Sequence, residues 1–473
     1  MKALTQIQLL QATVAALLTA TVLLRSILST TTINLLFHHL SQNQILLLSL
    51  TWCLSISLFF YFSLRRHPVL LLDYSCFKPE FDRKCSFEVA LYFVRRSRRF
   101  TTVSEEFMRG IYLKSGLSDD TYAPPFIFQT DYEAKLESAT QEAKEGIFSA
   151  VDSLLSKTQV DPSRLDAVIV TCGSFSPCPS LSSLIVNHYK LRSDIKSYNL
   201  SGMGCSSGVL SIDLAARLLN KSRAIGYVLV VVTESISLNW YFGENRSMLV
   251  TNCLFRVGCA AAIVTNDPAR RSSAKMELVR SLRTHNGADD ASYRAALQEE
   301  DAHGNVGIAL TKDLVRVAGE GLRQHLRILG PRVLPVRELL LYAYSFLSRI
   351  LSKGEMKPVV PNFTAAFEHM CIHTGGKAVI TELSRLMRLG DDVTEPARMC
   401  LHRFGNTSSS LVFYELAYFD AKGRVKKGDK MWMLAFGTGF KVGSLVWKAL
   451  KDSKNDSDNP WNDCIHRYPV KSW

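Results

Sequence analysis

No two of the eleven cysteines in this 473-residue chain stand in CxxC spacing. The nearest pairs, Cys172/Cys178 and Cys253/Cys259, are too loosely spaced for a metal clip, so the sequence supports no metal site. Most of the cysteines are expected as buried, reduced small hydrophobes in a cytosolic compartment. Zinc-finger spacing and RNP-type motifs are missing too, so the net charge of +13 and the pI near 9.2 do not mark a nucleic-acid reader. The positive charge is scattered. Its densest run, Arg95-Arg96-Ser97-Arg98-Arg99, suits an anionic membrane face, an acidic ligand or a solvated loop.

Charge is absent from two stretches near the N-terminus, residues 7–24 and 45–64. Each is close to the length a helix needs to cross a bilayer of about 30 Å. A signal peptide is the alternative for the first, but a persuasive small-residue cleavage site is lacking and a second span follows. Residues 1–66 are therefore expected to form a membrane anchor with two transmembrane helices. Lys2 before the first span and Arg65-Arg66 after the second place both ends in the cytosol, against a contrary vote from Arg25. The remainder has globular composition, contains no further uninterrupted span, and is long enough for one large domain or two fused halves.

Within that remainder, residues 68–128 read as irregular, with turn signals at Pro68, Pro79 and Pro124-Pro125, and a helix is expected around 132–157. Apolar runs at 167–171, 195–200, 227–233 and 260–264 read as strands, and 206–219 has helical period. The second part repeats the plan: helices at 312–329, 376–389 and 408–420, and strands at 366–372, 431–436 and 440–447. This predicts an α/β chain of two similar halves, 67–270 and 271–451, followed by a polar, irregular tail at 452–473.

Gly202-Met203-Gly204-Cys205-Ser206-Ser207-Gly208 puts one cysteine among small residues where a strand turns into a helix. Helix N-terminal N–H groups and the macrodipole favour a thiolate there, and the glycines leave the sulfur open to attack. A buried structural cysteine in a tight turn is the other reading. Two further segments bear on the choice. Cys371-Ile372-His373-Thr374-Gly375-Gly376 ends a strand on a histidine, and His402-Arg403-Phe404-Gly405-Asn406-Thr407-Ser408-Ser409 puts an asparagine before a helix, where an N-cap is the plain alternative.

Together the three residues form a chemical set. An imidazole beside Cys205 holds the thiolate as an ion pair, ready to attack a thioester. His373 and Asn406 then donate hydrogen bonds to the oxygen of a second thioester, stabilising the enolate left when a malonyl group loses CO₂. The enolate carbon attacks the acyl group on Cys205, and neither a metal nor a redox cofactor is required. Gly437 and Gly439 in Gly437-Thr438-Gly439 bring backbone N–H groups to the acyl-cysteine carbonyl, or else form a plain hairpin turn.

The chain also resembles the plant 3-ketoacyl-CoA synthases, membrane-bound condensing enzymes of very-long-chain fatty acid elongation. Long matches run in order from Leu72-Asp73-Tyr74-Ser75-Cys76-Phe77-Lys78-Pro79 through Asn239-Trp240-Tyr241-Phe242-Gly243, Arg246-Ser247-Met248-Leu249 and Arg283-Thr284-His285 to Asn459-Pro460-Trp461-Asn462-Asp463-Cys464-Ile465. The resemblance implies a duplicated thiolase-like layered fold (αβαβα), similar to type III polyketide synthases, behind the two-helix hairpin. It implies Cys205 as acyl acceptor with His373 and Asn406 completing a triad, supporting roles for His285, His369 and His402, and an aromatic gatekeeper at Phe255, for which a core phenylalanine is the alternative. It further implies acyl-CoA and malonyl-CoA as substrates, no cofactor, a homodimer, elongase reductase and dehydratase partners, and an endoplasmic reticulum location with the catalytic part facing the cytosol. Departures from the family pattern fall at Thr171–Ser180, Thr374 and Cys259, and are expected near the acyl site or the subunit interface. Two other readings stand beside this one: a non-catalytic regulatory partner in an elongase complex, and a polyketide-type synthase making repeated extensions.

Overall fold

A computed structural model describes residues 51–56, 68–129, 133–221, 224–351, 360–373, 375–471 and 473. The chain divides into two units, residues 1–66 and 67–473. Of the first, residues 51–56 are helical. The expected span at 7–24 and the rest of that at 45–64 lie outside the described residues, and among the described residues no helix is long and apolar enough to cross a membrane.

Among the described residues the second unit has eleven strands: β1 (Leu70–Cys76), β2 (Ala167–Cys172), β3 (Lys196–Ser201), β4 (Tyr227–Glu234), β5 (Gly258–Thr265), β6 (Met276–His285), β7 (Ala296–Glu300), β8 (Val306–Leu310), β9 (His369–Ile372), β10 (Lys430–Gly437) and β11 (Lys441–Ala449). Nine form one sheet in the order β3-β2-β4-β5-β1-β6-β11-β10-β9, and β7-β8 pair separately. The order folds back on itself about the β1–β6 seam. β1, β5, β4 and β2 are joined by antiparallel, antiparallel and parallel pairings, and β6, β11, β10 and β9 by the same series. Only two residue pairs cross the seam, Leu70 with Glu277 and Leu71 with Met276.

Strand alternation divides the side chains into layers. In β4, Val228, Val230 and Val232 face an inner core while Tyr227, Leu229 and Val231 face an outer one. In β10, Met431, Met433 and Ala435 join the same inner core, and Trp432, Leu434 and Phe436 face a third. The inner core also holds the helices Ser207–Lys221 and Leu411–Ala421. Every residue from Leu411 to Asp420 is buried, as a helix sandwiched between two sheet faces must be. The helix Leu136–Thr158 covers one outer core, and Leu314–Val333 with Lys377–Met387 covers the other. The layers are therefore helix, sheet, helix, sheet, helix: the thiolase-like arrangement.

Several elements depart from expectation. Residues 68–128 are not irregular: they contain β1 and the helices Phe87–Ser97 and Thr102–Lys114. Ser86 and Thr101 cap those helices, each accepting the N–H three residues on. Central β6, the β7-β8 hairpin, and the helices Val336–Leu351 and Asp391–Phe404 stand beyond the expected elements, although both helices are amphipathic. The basic run closes the helix Phe87–Ser97 with partners inside the chain, Arg95 to Glu105 at 3.3 Å and Arg99 over the Phe242 ring at 4.6 Å. The tail is irregular as expected but not merely polar, since Trp461 and Cys464 are wholly buried in the inner core.

Candidate active site

The two central helices start close together. The helix Ser207–Lys221 is entered through the 3-10 turn Gly204–Ser206, and Leu411–Ala421 through Ser408–Ser410. Cys205 sits in the first turn, and Asn406 just precedes the second. Gly204, at φ 58°, carries the chain over Thr438, whose N would lie 2.6 Å from any Cβ at that position. A Cβ on Gly437 would collide with Ser206 Oγ and come within 2.5 Å of the Met203 carbonyl oxygen. Glycine at both places lets the end of β10 press against the Cys205 turn.

One cavity of about 500 Å³ is lined by Cys205, His373 and Asn406, and also by Phe255, His285, Gly437 and Gly439. His373 follows β9, its N–H donating to the Leu434 carbonyl on β10 at 2.8 Å. Asn406 is fixed from three sides. Its backbone pairs with Leu254 and Arg256 around Phe255, its Oδ1 accepts from Ser408 N–H at 2.8 Å, and its Nδ2 donates to the Gly375 carbonyl at 3.3 Å. Two of the expected supporting histidines lie elsewhere: His369 Nε2 pairs with Asp429 at 2.9 Å, and His402 Nδ1 with the Tyr468 hydroxyl at 3.1 Å. Thr374 is outside the described residues. Cys259 is not at the acyl site; it is buried on β5 in the outer core, against Gly146 of the covering helix. From the divergent segment 171–180, Gly173 and Ser174 do reach the cavity.

The electrostatics differ from the expected ion pair. Burial pushes the Cys205 thiol up to about 12 and His373 down to about 4, both in the direction of the uncharged form. Among the described residues neither His373 ring nitrogen has a partner in ordinary hydrogen-bond geometry, but the Asn406 side chain and the Ser408 backbone lie near enough to act on the ring and partly offset its desolvation.

Two residues not foreseen complete the surroundings of the sulfur. Ser408 Oγ lies 3.5 Å from Cys205 Sγ and 2.9 Å from Glu234 Oε2. The buried Glu234 carboxylate also accepts from Gly173 N–H at 3.0 Å and from Ser174 N–H and Oγ at 2.9 and 2.6 Å. Ser408 adopts φ 55°, a left-handed conformation costing a non-glycine residue on the order of 1–3 kcal/mol. The sequence signal for Glu234 was an acid closing the apolar run of β4; Ser408 carried none apart from its place two residues after Asn406.

Comparison with known proteins gives this geometry its family. Residues 61–351 match the family described as FAE1/Type III polyketide synthase-like protein, and 364–449 match the 3-oxoacyl-[acyl-carrier-protein] synthase III C-terminal domain. The chain is 46% identical to 3-ketoacyl-CoA synthase 11 of Arabidopsis thaliana over 447 residues, covering 94% of this chain and 88% of that one. The chain belongs to the 3-ketoacyl-CoA synthase family. To 3-ketoacyl-CoA synthase 17 of the same plant this family member is 45% identical over 412 residues, covering 87% and 84% of the two chains. Its fold is also that of polyketide synthases. PKS-I from the brown alga Ectocarpus siliculosus superposes with a TM-score of 0.65 at 14% identity, covering 82% of this chain and 99% of that one. The fungal type III enzyme ORAS gives 0.61 at 17%, covering 80% and 99%.

Proposed function

We propose that this chain condenses a long- or very-long-chain acyl-CoA with malonyl-CoA to a 3-oxoacyl-CoA, releasing CO₂ and CoA. The observation that carries the reading is the convergence of Cys205, His373 and Asn406 on one cavity. A neutral His373 accepts the Cys205 proton as sulfur attacks the acyl-CoA carbonyl, and returns it to the departing CoA thiolate. Malonyl-CoA then loses CO₂; the electrons of the broken C–C bond pass to the thioester oxygen, where His373 and the Asn406 amide donate hydrogen bonds. The enolate carbon attacks the acyl-cysteine, the Cys205 thiolate leaves, and one proton taken from solvent restores the thiol. This balance calls for no metal or redox cofactor.

The uncharged segments 7–24 and 45–64 and the basic residues flanking them support anchorage in the endoplasmic reticulum membrane, with the catalytic part facing the cytosol. In that setting the enzyme works as a homodimer beside the reductases and dehydratase of an elongase. The test is Cys205→Ala in a host lacking very-long-chain products. Condensation is expected to fall at least about a thousandfold while the protein still accumulates in the membrane fraction. Undiminished product overturns the assignment of Cys205, and accumulation in the soluble fraction overturns the anchor. A wild-type chain that turns over no acyl-CoA yet alters a partner's rate points to the regulatory reading instead.

A further inference from the structure

A second chamber adjoins the cavity that holds Cys205. It is apolar, about 50 Å³ in volume, and shares two wall residues with the catalytic cavity, Trp240 and Asn252. The last turns of the helix Arg246–Leu254 divide the two: Thr251 and Phe255 face only the catalytic side, and Cys253 and Arg256 only the other. The far side of the second chamber is the helix Phe87–Ser97, through Ala90, Leu91 and Val94, and the near floor is Met108, Tyr112 and Ile127. None of the eleven residues of Phe87–Ser97 is buried, although the helix is amphipathic. Its apolar stripe is only partly covered: Phe93 meets Phe128 at 5.3 Å and Phe87 meets Tyr112 at 5.1 Å, while Ala90, Leu91 and Val94 border the chamber. The charged groups on the lining lie at the rim or are paired: Arg109 is exposed, Glu105 pairs with Arg95, and the Arg256 guanidinium donates to Thr121 Oγ1 at 3.1 Å and to the Phe255 carbonyl at 2.7 Å, whereas the Tyr112 hydroxyl is buried without a partner among the described residues.

The dividing residue has no polar tether among the described residues. Trp240 Nε1 is buried without a hydrogen-bond partner, and the ring makes an edge contact with Phe126 at 5.6 Å. An indole with no polar tether on its N–H is restrained by packing alone and can turn without breaking a hydrogen bond. We propose that Trp240 is the partition through which the far end of a long acyl chain leaves the catalytic cavity, and that the chamber beyond it sets the longest chain accepted. The ligand is the terminal methylene segment of a saturated acyl thioester. The inference rests on the condensing reaction proposed above and adds to it which direction the tail takes. The competing direction lies along Ile308, Leu310, Leu314 and Ala318, the other apolar wall of the catalytic cavity.

The test uses the full-length membrane-bound chain with malonyl-CoA and saturated acyl-CoAs of graded length. Ala90→Phe fills the second chamber. With about fourfold in affinity for each methylene buried, the ratio of kcat/KM for the longest to the shortest substrate is expected to fall at least about tenfold, whereas Trp240→Ala raises it. An unchanged ratio in an Ala90→Phe enzyme that turns over the shortest substrate overturns the proposal. If the variants fail to accumulate, the wild-type chain is photolabelled with an acyl-CoA carrying a diazirine on its terminal carbon. Label on residues 87–94 or 108–127 supports the proposal, and label confined to 308–318 overturns it. Failure of the underlying function looks different: the wild type then makes no condensation product at any chain length.

Discussion

At Cys205 two influences act on one proton. Desolvation holds it on sulfur and pushes the thiol up to about 12, while a Ser408 hydroxyl turned toward Sγ works in the opposite direction. That hydroxyl carries a single proton, and Glu234 Oε2 competes for it at 2.9 Å. When the proton goes to the carboxylate, the thiol is left to donate to Ser408 Oγ; when it turns to sulfur, it stabilises the thiolate. Ser408→Ala removes the larger of two hydrogen bonds that favour the anion, the other coming from the Cys205 backbone N–H. The thiol pKa then rises further, the thiolate fraction at any given pH falls, and alkylation of Cys205 by iodoacetamide is expected to slow by about tenfold or more. A rate equal to wild type across the pH range sinks this account of Ser408. Single residues also differ most in how far the sequence marks them. Cys205, His373 and Asn406 stood out because each sits at a strand end or helix start among small residues. Glu234 did not, because its importance comes from backbone N–H groups of residues sixty positions earlier in the chain.

Among the elements, the central helices show how closely two layers of backbone approach. A Cβ on Gly208 would collide with the Ser409 carbonyl oxygen and lie 3.2 Å from Val232 Cγ1. The first obstacle is backbone and cannot swing aside. Gly208→Ala is therefore expected to destabilise the protein by about 1–3 kcal/mol, the usual cost of overpacking. Gly110, inside the helix Thr102–Lys114, has nothing within 4 Å of a built Cβ. Gly110→Ala should instead stabilise by about 0.5–1 kcal/mol through helix propensity. Thermal unfolding of the two variants in one detergent checks both signs, and shifts in the same direction refute the packing argument. Continuous apolar runs such as those of β4 and β5 were legible as strands because both faces are covered. β6 was not: only Met276 of its ten residues is buried, so MELVRSLRTH presents neither a clean alternation nor an apolar run. Its place in mid-sheet is set by pairing with β1, some two hundred residues earlier in the chain, and with β11, more than one hundred and fifty residues later.

For the molecule as a whole, the C-terminal tail acts as a clasp. Trp461 enters the inner core, where its Nε1 donates to the Tyr414 carbonyl at 2.9 Å and its rings meet Phe404, Tyr418 and Tyr468 at 5.0, 4.9 and 5.0 Å. Asp456 and Asp463 add ion pairs to Lys275 at 3.2 Å and Arg403 at 3.2 Å. Trp461→Ala is expected to cost about 3–5 kcal/mol, the range for emptying a buried aromatic site. That should appear as a large loss of thermal stability although the residue lies outside every strand and α-helix. A stability within about 0.5 kcal/mol of wild type rules out the clasp.

The sequence by itself determined the chemistry and the plan. A cysteine, a histidine and an asparagine at element ends, two runs of α/β pattern, and two uncharged N-terminal stretches are local features, written in residue type and spacing over a few turns. Tertiary structure decided what those features do to one another. It folded the sheet about the β1–β6 seam so that two helix starts, some two hundred residues apart, meet at one cavity. It brought Ser408 to the sulfur and Glu234 to Ser408, favoured the uncharged forms of Cys205 and His373 through burial, and left His369 and His402 in contacts with Asp429 and Tyr468 outside the cavity. Burial and long-range pairing cause each of these outcomes, and neither is a property of any short segment of chain.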